Sequence, residues 1–232
     1  MKLSNTTLNT RQLARITGFF YLLISAGGLY GSLFVREALI DPADELTTLN
    51  NIIENEHQYR IGFLSDLVMV ISDVMVSVLF FILLSPVSRT AATFAAAFRL
   101  MQSAILGANL TNLFKPVLLI SGKSEQDADT MSGLAHDIMI SLQAFEYGYL
   151  ISGVFFAVNC AFMGYLLYRS DLFPSFLGVM ISMASIGYMF NCIASFVIPS
   201  MVEVSEMVLF FTAIISELTL CLWLLIKGVK GA

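Results

Sequence analysis

The sequence predicts an all-α polytopic membrane protein with six transmembrane helices in a bundle. The chain has 232 residues, of which 57% are hydrophobic and only 12% are charged. A soluble domain carries about 25% charged residues, so this composition indicates a protein whose solvent is lipid. Six apolar runs each exceed the ~20 residues that a helix needs to cross a bilayer.

The predicted spans cover most of the chain, which we expect to form a single transmembrane domain over residues 1–232. Prolines fall near the ends of these runs and never in the middle, so each helix can satisfy its own backbone hydrogen bonds. This pattern disfavours transporters built on broken helices. The spans are about 14–35, 61–85, 91–118, 138–168, 173–198 and 205–226.

The first span resembles a secretory signal because Arg11 and Arg15 precede it. Its apolar stretch, Ile16 to Val35, is longer than the apolar region of a signal and lacks a clear cleavage site. We therefore expect an uncleaved first helix.

The distribution of lysine and arginine predicts that both termini are cytoplasmic. With this orientation the inner segments hold Lys2, Arg11, Arg15, Arg89, Arg169, Lys227 and Lys230. The outer segments hold Arg36, Arg60 and Lys123, with Lys115 near the outer boundary.

The first outer loop is predicted to contain a short amphipathic helix that lies on the outer surface. Asp41 followed by Pro42 is typical of an N-cap and a first helical position. Leu46, Leu49, Ile52 and Ile53 would then share one face.

Polar residues recur at helical spacing within four spans, so their side chains are predicted to face one another and not lipid. The stripes are Asp66, Asp73 and Ser77; Arg99, Gln102 and Ser103; Gln143 and Glu146; and Glu206 and Glu217. Four further polar residues are expected to form hydrogen bonds between helices: Asn109, Asn112, Asn159 and Asn191.

The depth of these residues, at ~1.5 Å per residue, predicts which of them meet. Asp66 should lie beside Glu146 near the outer face, and Asp73 should lie deeper with Arg99 and Glu217. The candidate ligand-binding residues are Asp66, Asp73, Arg99, Gln102, Glu146 and Glu217.

One arginine cannot neutralise four carboxylates, and each unpaired charge near the bilayer centre costs ~2.5–3.5 kcal/mol. Some of the acids must therefore be protonated, hydrated or bound to a cation. This surplus favours a small transporter or permease whose pocket binds a proton or a cationic solute. The alternative is a membrane sensor, lipid-binding protein or assembly module, in which the buried charges only order the helices.

Several other functions are disfavoured. His57 and His136 are the only histidines and lie in outer segments, which argues against intramembrane haem or zinc sites and against a serine hydrolase. The three cysteines have no metal-site or disulfide spacing. We therefore expect no cofactor, no metal and no enzymatic activity. The bilayer is the expected partner, and no basic patch indicates nucleic acid.

Four segments resemble a bacterial and archaeal membrane family known as domain of unknown function 4386. They are RITGFFYLLISAGGLYGSLFV, RIGFLSDLVMVISDV, AAAFRLMQSAILGANL and GYLLYRSDLFPSFLGVM. The similarity runs from about Arg11 to the last span. It implies a six-helix protein of the cytoplasmic membrane and assigns no activity to any residue.

Overall fold

The computed structural model describes residues 9–121 and 128–229, and every regular element within these ranges is helical. The elements begin with α1 (Thr10–Leu29), a π-helical segment (Tyr30–Arg36), α2 (Glu37–Leu39) and α3 (Glu45–Glu54). The long helices α4 (Glu56–Leu84), α5 (Arg89–Ser121), α6 (Ala128–Arg169) and α7 (Ser175–Val197) follow. A 3-10 turn (Pro199–Met201), α8 (Val202–Leu209), a second π-helical segment (Phe210–Ile214) and α9 (Ile215–Ile226) complete the order.

Six helical stretches are long and apolar enough to span a membrane, which agrees with the predicted fold class. They are Thr10–Leu39, Glu56–Leu84, Arg89–Ser121, Thr130–Arg169, Ser175–Val197 and Pro199–Ile226. Large apolar side chains on these helices remain exposed, including Ile186, Phe211 and Leu118. In a membrane such a surface faces lipid. Lys2, Lys123 and Lys230, which contribute to the predicted orientation, lie outside the described residues.

The first and last spans each contain a π-helical segment. Neither segment contains proline, so the positions of the prolines in the sequence do not reveal these irregularities. The first of these segments extends span one to Leu39, so Arg36 lies within a span and not in the loop where the sequence predicted it. π-Helical segments widen a helix locally and often occur at functional sites.

The loop after the first span contains the predicted short helix, but the sequence placed its start incorrectly. The N-cap of α3 is Asp44, whose carboxylate accepts hydrogen bonds from the backbone N–H groups of Leu46 and Thr47. Asp41 instead accepts a hydrogen bond from the N–H of Ala43 in the preceding turn. Of the four residues predicted to share an apolar face, Leu49 and Ile52 are completely buried in the protein, whereas Leu46 and Ile53 are exposed.

The described residues form two compact units, each assembled from separate stretches of the chain. The first, named here the Arg36 unit, comprises the described parts of Leu23–Ser72 and Gln102–Ser152. The second, named the Arg99 unit, comprises the described parts of Met1–Leu22, Asp73–Met101 and Gly153–Ala232.

The Arg36 unit has an apolar core to which α3 to α6 all contribute, including Leu49, Leu113 and Ile138. Two buried hydrogen bonds join helices around it: the Tyr59 hydroxyl donates to the carbonyl of Leu113, and Asn109 Nδ2 donates to the carbonyl of Phe145. Asn109 thus bonds between helices as predicted. Asn112, in contrast, donates to Asn109 within its own helix.

The Arg99 unit depends on close helix approaches and buried amides. A side chain at Gly178 would meet the carbonyl oxygen of Gly164 at 2.7 Å, so only glycine permits this approach of α6 and α7. Asn159 donates to the carbonyl of Ala95, and Asn191 donates to the hydroxyl of Ser205. Both amides join helices, as predicted.

Candidate functional site

The Arg36 unit contains a buried ion pair that the sequence did not predict. Arg36 Nη1 lies 2.6 Å from Asp66 Oδ2, and the two side chains are 14% and 2% exposed. The guanidinium of Arg36 also lies over the ring of Phe145, 5.4 Å from its centroid. The sequence predicted that Asp66 lies beside Glu146, and Asp66 does act electrostatically on Glu146. Its ion-pair partner is Arg36, however, which the sequence placed beyond the end of the first helix.

Gly31 provides the space for this ion pair. A Cβ atom at position 31 would lie 2.8 Å from Asp66 Oδ1 and 3.1 Å from Arg36 Nη1. Gly31 belongs to the π-helical segment that ends at Arg36. The segment Tyr30–Arg36 therefore positions Arg36 near Asp66 and, through Gly31, leaves space beside the Asp66 carboxylate.

A cleft of about 600 Å³ opens beside the ion pair within the same unit. Its lining includes Arg36, Glu37, Glu146, Phe145 and Tyr149. Arg36 and Asp66 both act electrostatically on Glu146, whose side chain is exposed. Since Asp66 is paired with Arg36, the remaining acidic side chains in the lining of the cleft are those of Glu37 and Glu146.

The Arg99 unit contains a second ion pair, which is enclosed. Arg99 Nη2 lies 2.5 Å from Asp73 Oδ1, and each side chain is 4% exposed. The guanidinium contacts two aromatic rings, with centroid distances of 5.4 Å to Tyr21 and 5.2 Å to Phe156. Cation–π contacts of this kind are strongest where water is excluded.

Glu217 joins this cluster through tyrosines. The hydroxyl of Tyr188 donates to Glu217 Oε1 at 2.6 Å, and that of Tyr21 donates to Oε2 at 3.5 Å. Tyr188 also packs edge-to-face on Phe156, at a centroid distance of 4.9 Å. Glu217 follows the second π-helical segment by less than one turn.

The space beside Arg99 is small. A cavity lined by Ser77, Arg99 and Asn159 has a volume of about 10 Å³. This space holds roughly one water molecule. The carbonyl oxygen of the Asn159 side chain is buried, with no hydrogen-bond partner in the part of the chain that the structure describes. This site is therefore far more enclosed than the cleft in the Arg36 unit.

The six predicted site residues divide between the two units. The Arg99 unit brings Asp73, Arg99 and Glu217 together, as the depth estimate predicted. Asp66 and Glu146 lie in the Arg36 unit near Arg36. That all six line one hollow stays a prediction. Gln102 also belongs to the Arg36 unit, where it is buried and its Oε1 has no hydrogen-bond partner among the described residues.

Sequence reasoning overestimated some stripe residues and missed others. Gln143 and Glu206 are exposed. The residues it missed are Arg36, Tyr188 and Phe156, although tyrosines within the spans are a signal for cavity lining. A tyrosine can pack its apolar ring in the interior while its hydroxyl donates a hydrogen bond to a buried acid. Among the described residues, no group of three or more His, Cys, Asp or Glu side chains is arranged to hold a metal ion.

Six apolar helices and buried ion pairs define this protein as a multi-pass helical membrane protein. Residues 16–228 match the model of the family described as Domain of unknown function (DUF4386), so the chain belongs to that family. An uncharacterized protein of Archaeoglobus fulgidus is 30% identical over 161 residues, which cover 69% of this chain and 80% of the relative. No solved structure matches the chain.

Proposed function

We propose that this protein resides in the plasma membrane with both termini in the cytoplasm. The excess of lysine and arginine in the inner segments supports this orientation. Glu146, Glu37 and helix α3 would then lie at the extracytoplasmic side.

The protein is proposed to bind a small organic cation in the cleft of the Arg36 unit. The observation that carries this proposal is the charge of the cleft: Arg36 is already paired with Asp66, and Glu37 and Glu146 remain. Tyr149 adds an aromatic face beside these carboxylates. An alkylammonium group can bind such a site, because its charge is attracted both to the carboxylates and to the face of the aromatic ring.

The volume of the cleft favours a solute over a bare proton. At about 600 Å³ the cleft lies within the ~300–1,000 Å³ typical of small-molecule sites. A bare proton would need only one of the carboxylates.

Transport is the proposed role of this binding, without enzymatic catalysis. The cluster of Asp73, Arg99 and Glu217 places charged groups within other parts of the spans. Charged residues in spans often mark the paths of ions and solutes.

Uptake into proteoliposomes tests this role. The probe is benzyltrimethylammonium, whose permanent charge prevents it from leaking across the bilayer. Uptake should exceed that of empty liposomes and should fall in Asp73→Asn, Glu217→Gln and Glu146→Gln. Glu54→Gln, which alters an exposed acid outside the cleft, is the matched control. Unchanged uptake in the three variants, with the protein still folded, contradicts the proposal.

A second candidate is a non-transporting membrane module, and the enclosure of the Arg99–Asp73 pair favours it. Each of these side chains is 4% exposed, and the adjoining cavity has room for roughly one water. Such a pair can simply fix the arrangement of helices. In that case the uptake experiment gives the same rate as empty liposomes, while Arg99 and Asp73 variants lose stability.

A further inference from the structure

A cleft in the Arg99 unit, separate from the proposed cation site, lies where several helices reach one boundary of the membrane. It is lined near the start of α1 by Thr10 and Leu13, near the end of α4 by Ile82 and Leu83, and at the end of α6 by Arg169. Span one begins where spans two and four end, so all three segments lie at the same membrane boundary. The volume of the cleft is about 660 Å³.

The lining of this cleft is amphipathic. Leu13, Leu83 and Leu172 supply apolar surface, and Arg169 and Asp171 supply one charge of each sign. The turn between the two charged residues is fixed, because the buried hydroxyl of Ser170 accepts a hydrogen bond from the N–H of Leu172. Arg169 and Asp171 are exposed, and the ion pairs of the described residues include neither of them.

The surroundings of the cleft indicate the depth of lipid headgroups. Tyr165 and Tyr168 are about half exposed beside Arg169, and such tyrosines anchor helices at membrane interfaces. A phospholipid fits an amphipathic cleft at this depth, because its glycerol and upper acyl chains suit the apolar part of the lining.

We propose that this cleft binds a phospholipid whose headgroup carries both a phosphate and an ammonium group, with Arg169 contacting the phosphate and Asp171 contacting the ammonium. The opposite charges of the two side chains match this headgroup in sign. A headgroup with phosphate alone would leave Asp171 beside an anion. This inference does not depend on the proposed cation site.

Native mass spectrometry of the full-length protein in detergent tests the inference. The probes are phosphatidylethanolamine, phosphatidylglycerol and phosphatidylcholine with identical dioleoyl chains. Phosphatidylethanolamine should bind about fivefold more tightly than phosphatidylglycerol, the effect of one partly exposed ion pair. Equal or tighter binding of phosphatidylglycerol overturns the proposal.

Single variants assign the two contacts. Arg169→Gln should weaken the binding of all three lipids, since all share the phosphate. Asp171→Asn should abolish the preference for phosphatidylethanolamine over phosphatidylglycerol and leave phosphatidylglycerol binding no weaker. Arg89→Gln is the matched control, because Arg89 is exposed near the same boundary and does not line the cleft. If both cleft variants bind lipids as the wild type does, the assignment is wrong.

Two further measurements test the location of the lipid and the need for its acyl chains. Thr10→Trp should reduce lipid binding by filling the cleft without altering its charge, and normal binding in this variant contradicts the site. Glycerophosphoethanolamine has the headgroup without acyl chains and should bind far more weakly than the lipid. Equal binding of this compound would indicate a site for a soluble solute and would overturn the lipid proposal.

Discussion

Arg36 forms an ion pair with Asp66 at 2.6 Å and also lines a cleft that contains Glu37 and Glu146. Asp66 is almost fully buried, and the Arg36 guanidinium that it contacts belongs to the first span. The pairing balances the charge of Arg36. The remaining acids of the cleft therefore determine what it attracts.

Removal of Arg36 should destabilise the protein strongly. Arg36→Met leaves the carboxylate of Asp66 buried without its cation, a change that typically costs about 3–5 kcal/mol. Thermal unfolding in detergent measures the loss, and Arg36→Met combined with Asp66→Leu should recover part of it.

Arg60→Met is the control for that experiment. Arg60 pairs with Glu56 at 2.6 Å, but the two side chains are 44% and 40% exposed. An exposed pair contributes less than about 1 kcal/mol. Equal losses from the Arg36 and Arg60 variants would mean that burial of Asp66 has no energetic consequence.

Gly31→Ala should also destabilise the protein, because the added methyl group would overlap Asp66 Oδ1 and crowd Arg36 Nη1. Overpacking of this kind costs about 1–3 kcal/mol. Gly28→Ala is the matched substitution, since its methyl group would meet only the flexible Met69 side chain, at 3.2 Å. A lower melting temperature for Gly28→Ala than for Gly31→Ala contradicts this assignment.

The sequence predicted the helices and the deeper charged cluster well, because both depend on simple periodicity. Apolar runs of sufficient length located all six spans. The depth of Asp73 and Arg99 within adjacent runs predicted their proximity. Both inferences use only the constant rise of a helix.

Prediction from the sequence failed at the end of span one, where the backbone departs from a regular α-helix. It also failed at the start of α3, where two aspartates could each act as the N-cap. The π-helical segment at Tyr30–Arg36 carries span one past its apolar run, so Arg36 reaches Asp66. At α3 the Asp41–Pro42 pair competed with Asp44, whose carboxylate also accepts a hydrogen bond from the Thr47 hydroxyl. The hydrogen bonds that Asp44 accepts from Leu46 and Thr47 make it the N-cap, so α3 begins at Glu45.

Tyr188 and Glu217 should be energetically coupled. The tyrosine hydroxyl donates to Glu217 Oε1 at 2.6 Å, and a hydrogen bond within a protein contributes about 0.5–1.5 kcal/mol. A double-mutant cycle of Tyr188→Phe and Glu217→Gln, measured by thermal unfolding, should therefore give a coupling energy of about 1 kcal/mol. Additive effects of the two substitutions would show that this contact contributes nothing.

Acid should destabilise the protein partly through Asp44. The hydrogen bonds from the side chain and backbone of Thr47, with that from the N–H of Leu46, hold the pKa of the Asp44 carboxyl below its ordinary value. A carboxyl whose pKa is lower in the folded state stabilises it above the unfolded pKa of about 3.9. This stabilisation is lost as the pH falls through the folded pKa.

Asp44→Asn isolates that contribution, because asparagine can still cap α3 but does not titrate. The difference in melting temperature between wild type and variant should shrink as the pH falls from about 6 to about 3. A difference that stays constant over this range contradicts the role of the Asp44 carboxylate.

The cleft beside Arg36 is proposed to bind an organic cation through Glu146. Isothermal titration of the purified protein with benzyltrimethylammonium, compared with neutral benzyl alcohol, tests it most directly. We expect the cation to bind more tightly than the alcohol, and Glu146→Gln to weaken the binding of the cation by about fivefold. Glu54→Gln should bind as the wild type does. Equal affinity for cation and alcohol, or undiminished cation binding in Glu146→Gln, would contradict the claim.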